Sequence, residues 1–260
     1  MTDFTQLDEY INADVDTYNE VNLATLNHLI QHYVLHVPFE NINVQNKQPI
    51  ALDDESMLHK IIVEQRGGFC YEQNRLFRNF LMAKGFTVKM VAATIHTGDG
   101  WAMEGSHMSL VVTLPEGDFV ADVGYADVPQ QALPLSQSKI VEDVNGYFKI
   151  EWIDETNFQF LKYNGSAWVI QYQATTESQT LDDFAAGIEF NQYDAQSIFV
   201  RELIISKAVA DGRVTMSKRN VTISKGEHKK KIAIDRTNYR AMLAHYFGIE
   251  NIEIKTFDQP

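Results

Sequence analysis

The chain contains a single cysteine, Cys70, and its surroundings in the sequence are those of a reactive thiol. It follows the segment Arg66-Gly67-Gly68-Phe69 and opens a stretch with helical apolar spacing. A thiol in the first turn of a helix meets the positive end of the helix dipole, and Arg66 adds a positive charge nearby in sequence. Both influences favour the thiolate, the form that attacks a carbonyl carbon. Packing alone does not call for Arg-Gly-Gly here, so we interpret Cys70 as a nucleophile.

A nucleophilic cysteine needs a histidine, and the histidine needs a group that orients its ring. His107 stands at the start of a predicted strand, and Asp122 lies inside an apolar strand pattern. A buried carboxylate without a partner is costly, and an imidazole on a neighbouring strand would satisfy it. The sequence does not show that these residues meet, and the alternative partners are His96 with Asp99, Asp118 or Asp127.

The first 85 residues have the apolar spacing of helices. Asn22 is predicted to cap a helix that ends before Pro38, because a residue before proline avoids the α region. Asp53 or Asp54 is predicted to cap a second helix, with Gly67 and Gly68 as its stop. The helix that Cys70 opens is predicted to end at Gly85.

From residue 86 the apolar period changes to the alternation of strands. Strands are predicted from the alternation at 86–92, 107–114, 119–123, 147–153, 158–163 and 166–173. Asn145-Gly146 and Asn164-Gly165 are typical of hairpin turns. A short helix is predicted at 180–186, strands over 199–234, and a final helix capped by Asp235 and closed by Gly248.

Composition and charge limit the classes of ligand that the chain is expected to bind. The net charge is −13, and residues 201–240 hold 11 Lys/Arg against 4 Asp/Glu. An acidic body with one basic segment disfavours nucleic-acid binding and leaves room for a smaller anionic ligand. We see no signal peptide and no apolar run long enough to span a membrane, so we predict a cytoplasmic protein.

Two further patterns could bind a ligand: a row of histidines and a glycine-rich loop. His28, His32 and His36 are spaced for one helix face, but no accompanying zinc motif occurs, so we predict a solvated stripe and no metal site. The glycine-rich loop before His107 precedes a strand, so it is not a P-loop or dinucleotide fingerprint. Its amides are nonetheless candidates for phosphate binding, beside the alternative of a plain flexible loop.

The residues resemble the arylamine N-acetyltransferase family over essentially the whole chain. The resemblance rests on Val37-Pro38-Phe39-Glu40-Asn41, the Arg66–Asn74 segment around the thiol, His107-Met108, and Asp122-Val123-Gly124-Tyr125. It implies an α+β fold with a helical bundle (1–85) carrying the nucleophile, an antiparallel β-barrel (86–190) carrying His and Asp, and an α/β lid (191–260). It also implies a cysteine-proteinase-like triad of Cys70, His107 and Asp122.

The resemblance implies an activity as well: N-acetylation of arylamines or arylhydrazines, a part of xenobiotic metabolism. Acetyl-CoA would be a co-substrate, with no permanently bound cofactor, and an acetyl-cysteine would form in a ping-pong mechanism. Phe39 and Tyr125 fall at the acceptor pocket, and candidate CoA contacts in the loop are Thr97, Gly98, Gly100 and Gly105. Two departures are Tyr125-Ala126, where the family often has Phe-Gly, and the acidic Glu104 in the loop.

Other functions remain compatible with the same residues. An amide synthase of this family or a thiol hydrolase would use the same triad on a different acceptor. A catalytically silent binding protein is the alternative from another class. The physiological amine is not identified by the sequence, and the protein is expected to be a monomer or a homodimer.

Overall fold

A computed structural model describes residues 2–136, 139–226 and 228–257. Its α-helices are α1 (Thr5–Ile11), α2 (Leu23–His36), α3 (Ile42–Gln45), α4 (Asp54–Ile62), α5 (Cys70–Ala83), α6 (Ala185–Tyr193), α7 (Ile198–Arg201) and α8 (Tyr239–Phe247). Short 3-10 helices span Asp182–Phe184 and Lys255–Phe257. None of the helices within these ranges is long and apolar enough to cross a membrane.

The first helices begin and end for the predicted reasons, with one exception. The Asn22 side chain accepts the Thr25 N–H at 2.9 Å, and α2 ends before Pro38. The Asp53 side chain caps α4 in the same way, through the Ser56 N–H at 2.8 Å. The prediction that Gly67 and Gly68 stop this helix was wrong, because α4 already ends at Ile62.

Eight strands form a nearly closed antiparallel barrel. They are β2 (Thr87–Ile95), β3 (His107–Leu114), β4 (Gly117–Val120), β5 (Leu133–Pro134), β6 (Val141–Asp143), β7 (Gly146–Trp152), β8 (Asn157–Tyr163) and β9 (Trp168–Thr175). Their order is β5-β4-β3-β2-β9-β8-β7-β6. The two predicted hairpin turns join β6 to β7 and β8 to β9. Asp122 was predicted inside a strand, but β4 ends at Val120, so Asp122 lies in the segment that follows the strand.

A second antiparallel sheet contains strands from both ends of the chain. It holds β1 (Phe39–Glu40), β10 (Ile205–Val209), β11 (Gly212–Met216), β12 (Asn220–Lys225) and β13 (His228–Ala233) in the order β1-β10-β11-β12-β13. Phe39 pairs with Ser206, so the N-terminal region supplies an edge strand to the C-terminal sheet. The predicted domain boundary at 190/191 falls within α6, and both boundaries remain predictions.

Helix α8 covers one face of this sheet. Its buried side chains Leu243 and Phe247 share a core cluster with Ile205 and Val221. The predicted cap Asp235 instead stabilises the turn before the helix, where its carboxylate accepts the Thr237 N–H at 2.7 Å. The predicted stop is confirmed: Gly248 takes a left-handed conformation directly after α8.

The main core lies where α5 packs against the barrel. Phe77 and Phe80 are fully buried there, in one cluster with Met108 and Leu110 of β3. The helix that begins with Cys70 is therefore anchored along its length to the strand that begins with His107.

Candidate active site

Cys70 is the first residue of α5 and is 1% exposed. The preceding residue, Phe69, is extended, and its N–H donates to the Glu72 carboxylate at 3.2 Å. This contact closes the start of the helix on itself, as a glutamate at the third helical position often does. The thiol thus lies at the helix terminus where backbone N–H groups have no partner within the helix.

The two glycines before Cys70 are required by packing. A Cβ on Gly67 would lie 1.8 Å from the Pro38 carbonyl oxygen, and a Cβ on Gly68 would lie 2.5 Å from Glu72 Oε2. Both distances are far below ordinary contact. The sequence argument that packing alone does not call for these glycines was therefore wrong.

Arg66 belongs to a buried ionic cluster. Its Nη2 donates to Glu40 Oε1 at 2.8 Å and to Asn43 Oδ1 at 2.7 Å. Lys60 Nζ lies 2.8 Å from Glu72 Oε1 and 3.3 Å from Glu40 Oε1. Because Glu40 compensates the Arg66 charge, the prediction that Arg66 favours the thiolate loses its basis. The cluster holds the start of α5 against α4 and β1.

Burial opposes the ionised form of both carboxylates in this cluster, with opposite outcomes. It raises the pKa of Glu40, but the charges of Lys60 and Arg66 outweigh it and leave that pKa lowered. The pKa of Glu72 is raised, because burial and the nearby Glu40 charge exceed the effect of Lys60.

The structure brings His107 and Asp122 together. His107 Nε2 lies 2.7 Å from Asp122 Oδ2, and both side chains are 4% exposed. The other carboxylate oxygen, Oδ1, accepts from Asn74 Nδ2 at 2.8 Å and from the Gly124 N–H at 2.9 Å. Both oxygens of this buried carboxylate therefore have hydrogen-bond partners, which fixes the orientation of the imidazole.

The electrostatics of the pair favour an imidazolium. Burial lowers the pKa of His107, but the Asp122 charge and hydrogen bond and the contact with Cys70 outweigh it and raise that pKa to about 10. Burial likewise opposes ionisation of Asp122, whereas His107, Asn74 and the Gly124 amide bring its pKa below the ordinary value. With Nε2 turned to Asp122, Nδ1 is the ring nitrogen left for the Cys70 thiol.

The alternative partners lie in other contacts. Asp118 accepts from Thr113, Asp99 accepts from Thr97, and Asp127 forms ion pairs with Lys162 and Arg213. His96 packs against Trp101 and accepts the Gly98 N–H through Nδ1 at 3.2 Å. None of these groups occupies the position that Asp122 takes beside His107.

Asn74 was missed in the sequence and joins the two halves of the site. It lies one helical turn after Cys70, its Nδ2 donates to the Met108 carbonyl at 2.6 Å, and its Oδ1 accepts the Val123 N–H at 2.9 Å. Gly124 was also missed: a Cβ there would lie 2.7 Å from the Cys70 Cα. An asparagine on the otherwise apolar face of α5 was the available signal.

Phe39 and Tyr125 were predicted to lie at the acceptor pocket, and that role stays a prediction. The Tyr125 ring meets the His107 ring edge to face at 5.8 Å, and both Phe39 and Tyr125 line a cavity of about 20 Å³. Tyr172, which the sequence did not single out, packs its ring 5.3 Å from that of His107. Two larger cavities, of about 930 and 610 Å³, are lined by none of the three triad residues.

The glycine-rich loop before His107 uses several of its amides internally. The Gly98 N–H donates to His96, the Gly105 N–H donates to Thr94 Oγ1 at 2.9 Å, and the Thr97 N–H donates to the Gly100 carbonyl at 2.9 Å. A phosphate would have to displace these bonds to use the same amides. The CoA contacts predicted here remain a prediction.

The histidine row on α2 ties down the N-terminus. His28 Nε2 and His32 Nδ1 contact the carbonyls of Ala13 and Ile11 at 2.9 and 2.8 Å, and His36 Nδ1 contacts the His32 carbonyl. The rings are half-buried rather than forming a solvated stripe. No group of three His, Cys, Asp or Glu suited to a metal ion occurs in the part of the chain that the structure describes.

Known proteins match the chain along most of its length. A family model described as N-acetyltransferase matches residues 22–256. The uncharacterized acetyltransferase YvcN of Bacillus subtilis is 30% identical over 81% of this chain and 85% of its own. The arylamine N-acetyltransferase of Escherichia coli is 26% identical over 88% and 83%, and the proansamycin X synthase of Amycolatopsis mediterranei is 26% identical over 89% and 95%.

Solved structures of arylamine N-acetyltransferases share the fold. The Bacillus cereus protein, which has a unique Cys-His-Glu catalytic triad, superposes with a TM-score of 0.85 at 25% identity, covering 96% of this chain and 100% of that one. The Mycobacterium marinum protein in complex with CoA gives a TM-score of 0.87 at 24% identity, covering 95% and 93%. The present chain differs from the Bacillus cereus protein in that an aspartate holds its histidine.

Proposed function

This chain belongs to the arylamine N-acetyltransferase family, and we propose that it transfers an acetyl group from acetyl-CoA to an aromatic amine or hydrazine through an acetyl-Cys70 intermediate. The observation that carries the proposal is the buried contact chain from Cys70 through His107 to Asp122. A thiol at a helix terminus, an imidazole raised in pKa and a carboxylate that orients it are the parts that thiol acyl transfer needs.

The first half-reaction uses the ion pair. The Cys70 thiolate attacks the carbonyl carbon of the thioester, the bond to the CoA sulfur breaks, and the departing thiolate takes the proton held by His107. We assign stabilisation of the oxyanion to the first-turn amides of α5, those of Cys70 and Tyr71, because they lie at the positive end of the helix.

The second half-reaction returns the enzyme to its starting state. The amine nitrogen attacks the acetyl carbon, its proton passes to the now neutral His107, and the Cys70 sulfur leaves as thiolate. Asp122 keeps the ring oriented through both steps by its 2.7 Å contact with Nε2. Amine and CoA use the same sulfur in turn, which makes the kinetics ping-pong.

The closed site protects the intermediate. Cys70 is 1% exposed, and the cavity beside Phe39 and Tyr125 has room for about one water molecule. The lining side chains must therefore move apart to admit the donor, and their return excludes water, the competing acceptor. We assign the acceptor to the side of Phe39 and Tyr125, and the CoA phosphates to the loop from Thr97 to Gly105.

A second candidate is amide synthesis from an acyl donor other than acetyl-CoA. The similarity to proansamycin X synthase, over 95% of that relative, favours it. The two candidates share every residue of the triad and differ in the donor, so the donor is the quantity to test. Hydrolysis by the same triad would leave a free acid instead of an amide.

Intact-mass spectrometry after brief exposure to acetyl-CoA tests the proposal. We expect wild-type protein to gain the mass of one acetyl group, to lose it on addition of an aromatic amine, and to release the acetylated amine. Cys70→Ser, which preserves the size of the side chain, should gain nothing. If wild-type protein gains no acetyl group and forms no acetylated amine, the proposal is wrong. Loss of the adduct as free acetate with no amine product would favour hydrolysis.

A further inference from the structure

The two peptide carbonyls that flank His107 are both held by the helix that carries Cys70. The Tyr71 hydroxyl donates to the Ser106 carbonyl at 2.7 Å, and Asn74 Nδ2 donates to the Met108 carbonyl at 2.6 Å. The backbone of His107 is therefore held on both sides. Tyr71, next to Cys70, holds the carbonyl before it, and Asn74, one turn after Cys70, holds the carbonyl after it.

A second donor reaches the Ser106 carbonyl from α6. Asn191 Nδ2 donates to it at 2.8 Å and contacts the Tyr71 hydroxyl at 3.3 Å, and the Ser197 hydroxyl donates to Asn191 Oδ1 at 3.1 Å. Tyr71, Asn191 and Ser106 are at most 4% exposed. We refer to the two donors, Tyr71 and Asn191, with the Ser106 carbonyl as the Ser106 clamp.

The close approach of α6 to the Ser106 clamp requires a glycine, which has no side chain. A Cβ on Gly187 would lie 2.5 Å from the Tyr71 hydroxyl and 3.2 Å from the Ser106 Cα. The helix therefore passes directly over the clamp. Tyr71 remains a neutral donor, because burial and the negative charge of Cys70 both raise its pKa.

We propose that the Ser106 clamp is a positioning device that fixes the separation of the Cys70 sulfur and the His107 ring. The proposal rests on the proposed function, because it assigns importance to that pair. Its physical basis is that Tyr71, the residue after Cys70, is hydrogen-bonded to Ser106, the residue before His107. The backbone segments that carry the two reacting side chains are therefore held together. Loss of either donor leaves the Ser106 carbonyl with one hydrogen bond instead of two and loosens the hold on the start of β3, which weakens the contact between thiolate and imidazolium.

The test is alkylation of Cys70 by iodoacetamide in the full-length protein, with His107 present and in a His107→Gln background. It needs neither acetyl donor nor amine, so it can fail independently of the acetylation assay. With His107 present the imidazolium activates the thiol, whereas His107→Gln removes that partner and leaves the clamp in place. We expect Tyr71→Phe and Asn191→Leu each to slow alkylation roughly tenfold when His107 is present and far less in the His107→Gln background.

Two matched controls separate this effect from general weakening. Tyr33→Phe also removes a buried hydroxyl, but that hydroxyl has no hydrogen-bond partner among the residues that the structure describes. Gln192→Leu removes the next side chain of α6, which accepts the Ile50 N–H and does not touch Ser106. In each background, both controls should alkylate at the rate of the protein without the control substitution.

The outcomes decide the proposal. A greater loss of alkylation rate with His107 present than in the His107→Gln background, in the clamp variants alone, supports it. Wild-type alkylation in both clamp variants, or an equal loss in the two backgrounds, overturns it. If Tyr71→Phe does not fold, Asn191→Leu carries the test. If neither folds while both controls do, the clamp serves folding and the positioning role is wrong.

Discussion

Replacing Gly124 by alanine tests how closely α5 must approach the loop that follows β4. A Cβ at this position would lie 2.7 Å from the Cys70 Cα and 2.7 Å from Asn74 Nδ2, whereas ordinary contacts begin at 3.4 Å. One of these neighbours is backbone, so the helix and the loop must separate by about 0.7 Å rather than rotate a side chain away.

The expected size of the effect follows from that displacement. A misplacement of about 1 Å between reacting groups costs on the order of 100-fold in rate. Overpacking of a tightly filled site lowers the free energy of unfolding by roughly 1–3 kcal/mol. Gly124→Ala should therefore acetylate Cys70 in single-turnover experiments about 100-fold more slowly than wild type, at a temperature where it remains folded.

A control isolates geometry from stability. Gly165 lies in the β8–β9 turn with φ of +97° and no atom near its Cβ position, so alanine there is strained without touching the site. We expect Gly165→Ala to lower the unfolding free energy by about 1 kcal/mol in urea titrations and to acetylate at the wild-type rate. A Gly124→Ala protein that acetylates as fast as wild type would refute the reasoning.

Three further predictions concern charges around the thiol. In Asp122→Asn the new amide donates to His107 Nε2 and forces the proton onto Nδ1, so kcat/KM should fall roughly 10³- to 10⁴-fold in an amine acetylation assay while circular dichroism stays unchanged. Because the folded pKa of His107 is raised from 6.5 to about 10, its contribution to stability is complete below pH 6.5 and is lost as pH rises to 10. Urea unfolding of wild type should therefore weaken across that window more steeply than that of His107→Gln. Lys60→Met removes a cation shared by Glu40 and Glu72, and should lower the unfolding free energy by roughly 3–5 kcal/mol, measured by the same titration. A loss below 1 kcal/mol would contradict a buried pair there.

The positions of the helices were predictable because their signals are local. Asn22 and Asp53 cap through contacts three residues away, and Pro38 ends α2 through its own ring. The end of α4 was missed because Gly67 and Gly68 serve a distant contact, the packing against Pro38 and Glu72, which no local pattern reports. Glycine has the same appearance in the sequence whether it stops a helix or makes room for another segment.

The three residues of the proposed triad could be selected from the sequence by type, whereas the residues that support them could not. Cys70, His107 and Asp122 carry chemistry that restricts which side chains can stand there. Asn74 and Asn191 act through hydrogen bonds to groups far along the chain, such as the carbonyls of Met108 and Ser106, which are 34 and 85 residues away, and an asparagine in a helix has many other uses. The interpretation of Arg66 failed for the opposite reason. Its nearness to Cys70 in sequence suggested that it stabilises the thiolate, but its charge is compensated by the bond to Glu40.

The start of α5 is where two independent sets of contacts meet. On the side of the helical region, Lys60 and Arg66 hold Glu72 and Glu40 and so fix the first turn of the helix. On the barrel side, Asn74 reaches Met108 and Asp122. The first set fixes the start of α5 within the helical region, and the second joins the same helix to the barrel residues that carry and orient the imidazole. The reacting pair is therefore set by the packing of helix on barrel, and a residue in either set can alter catalysis without touching a substrate.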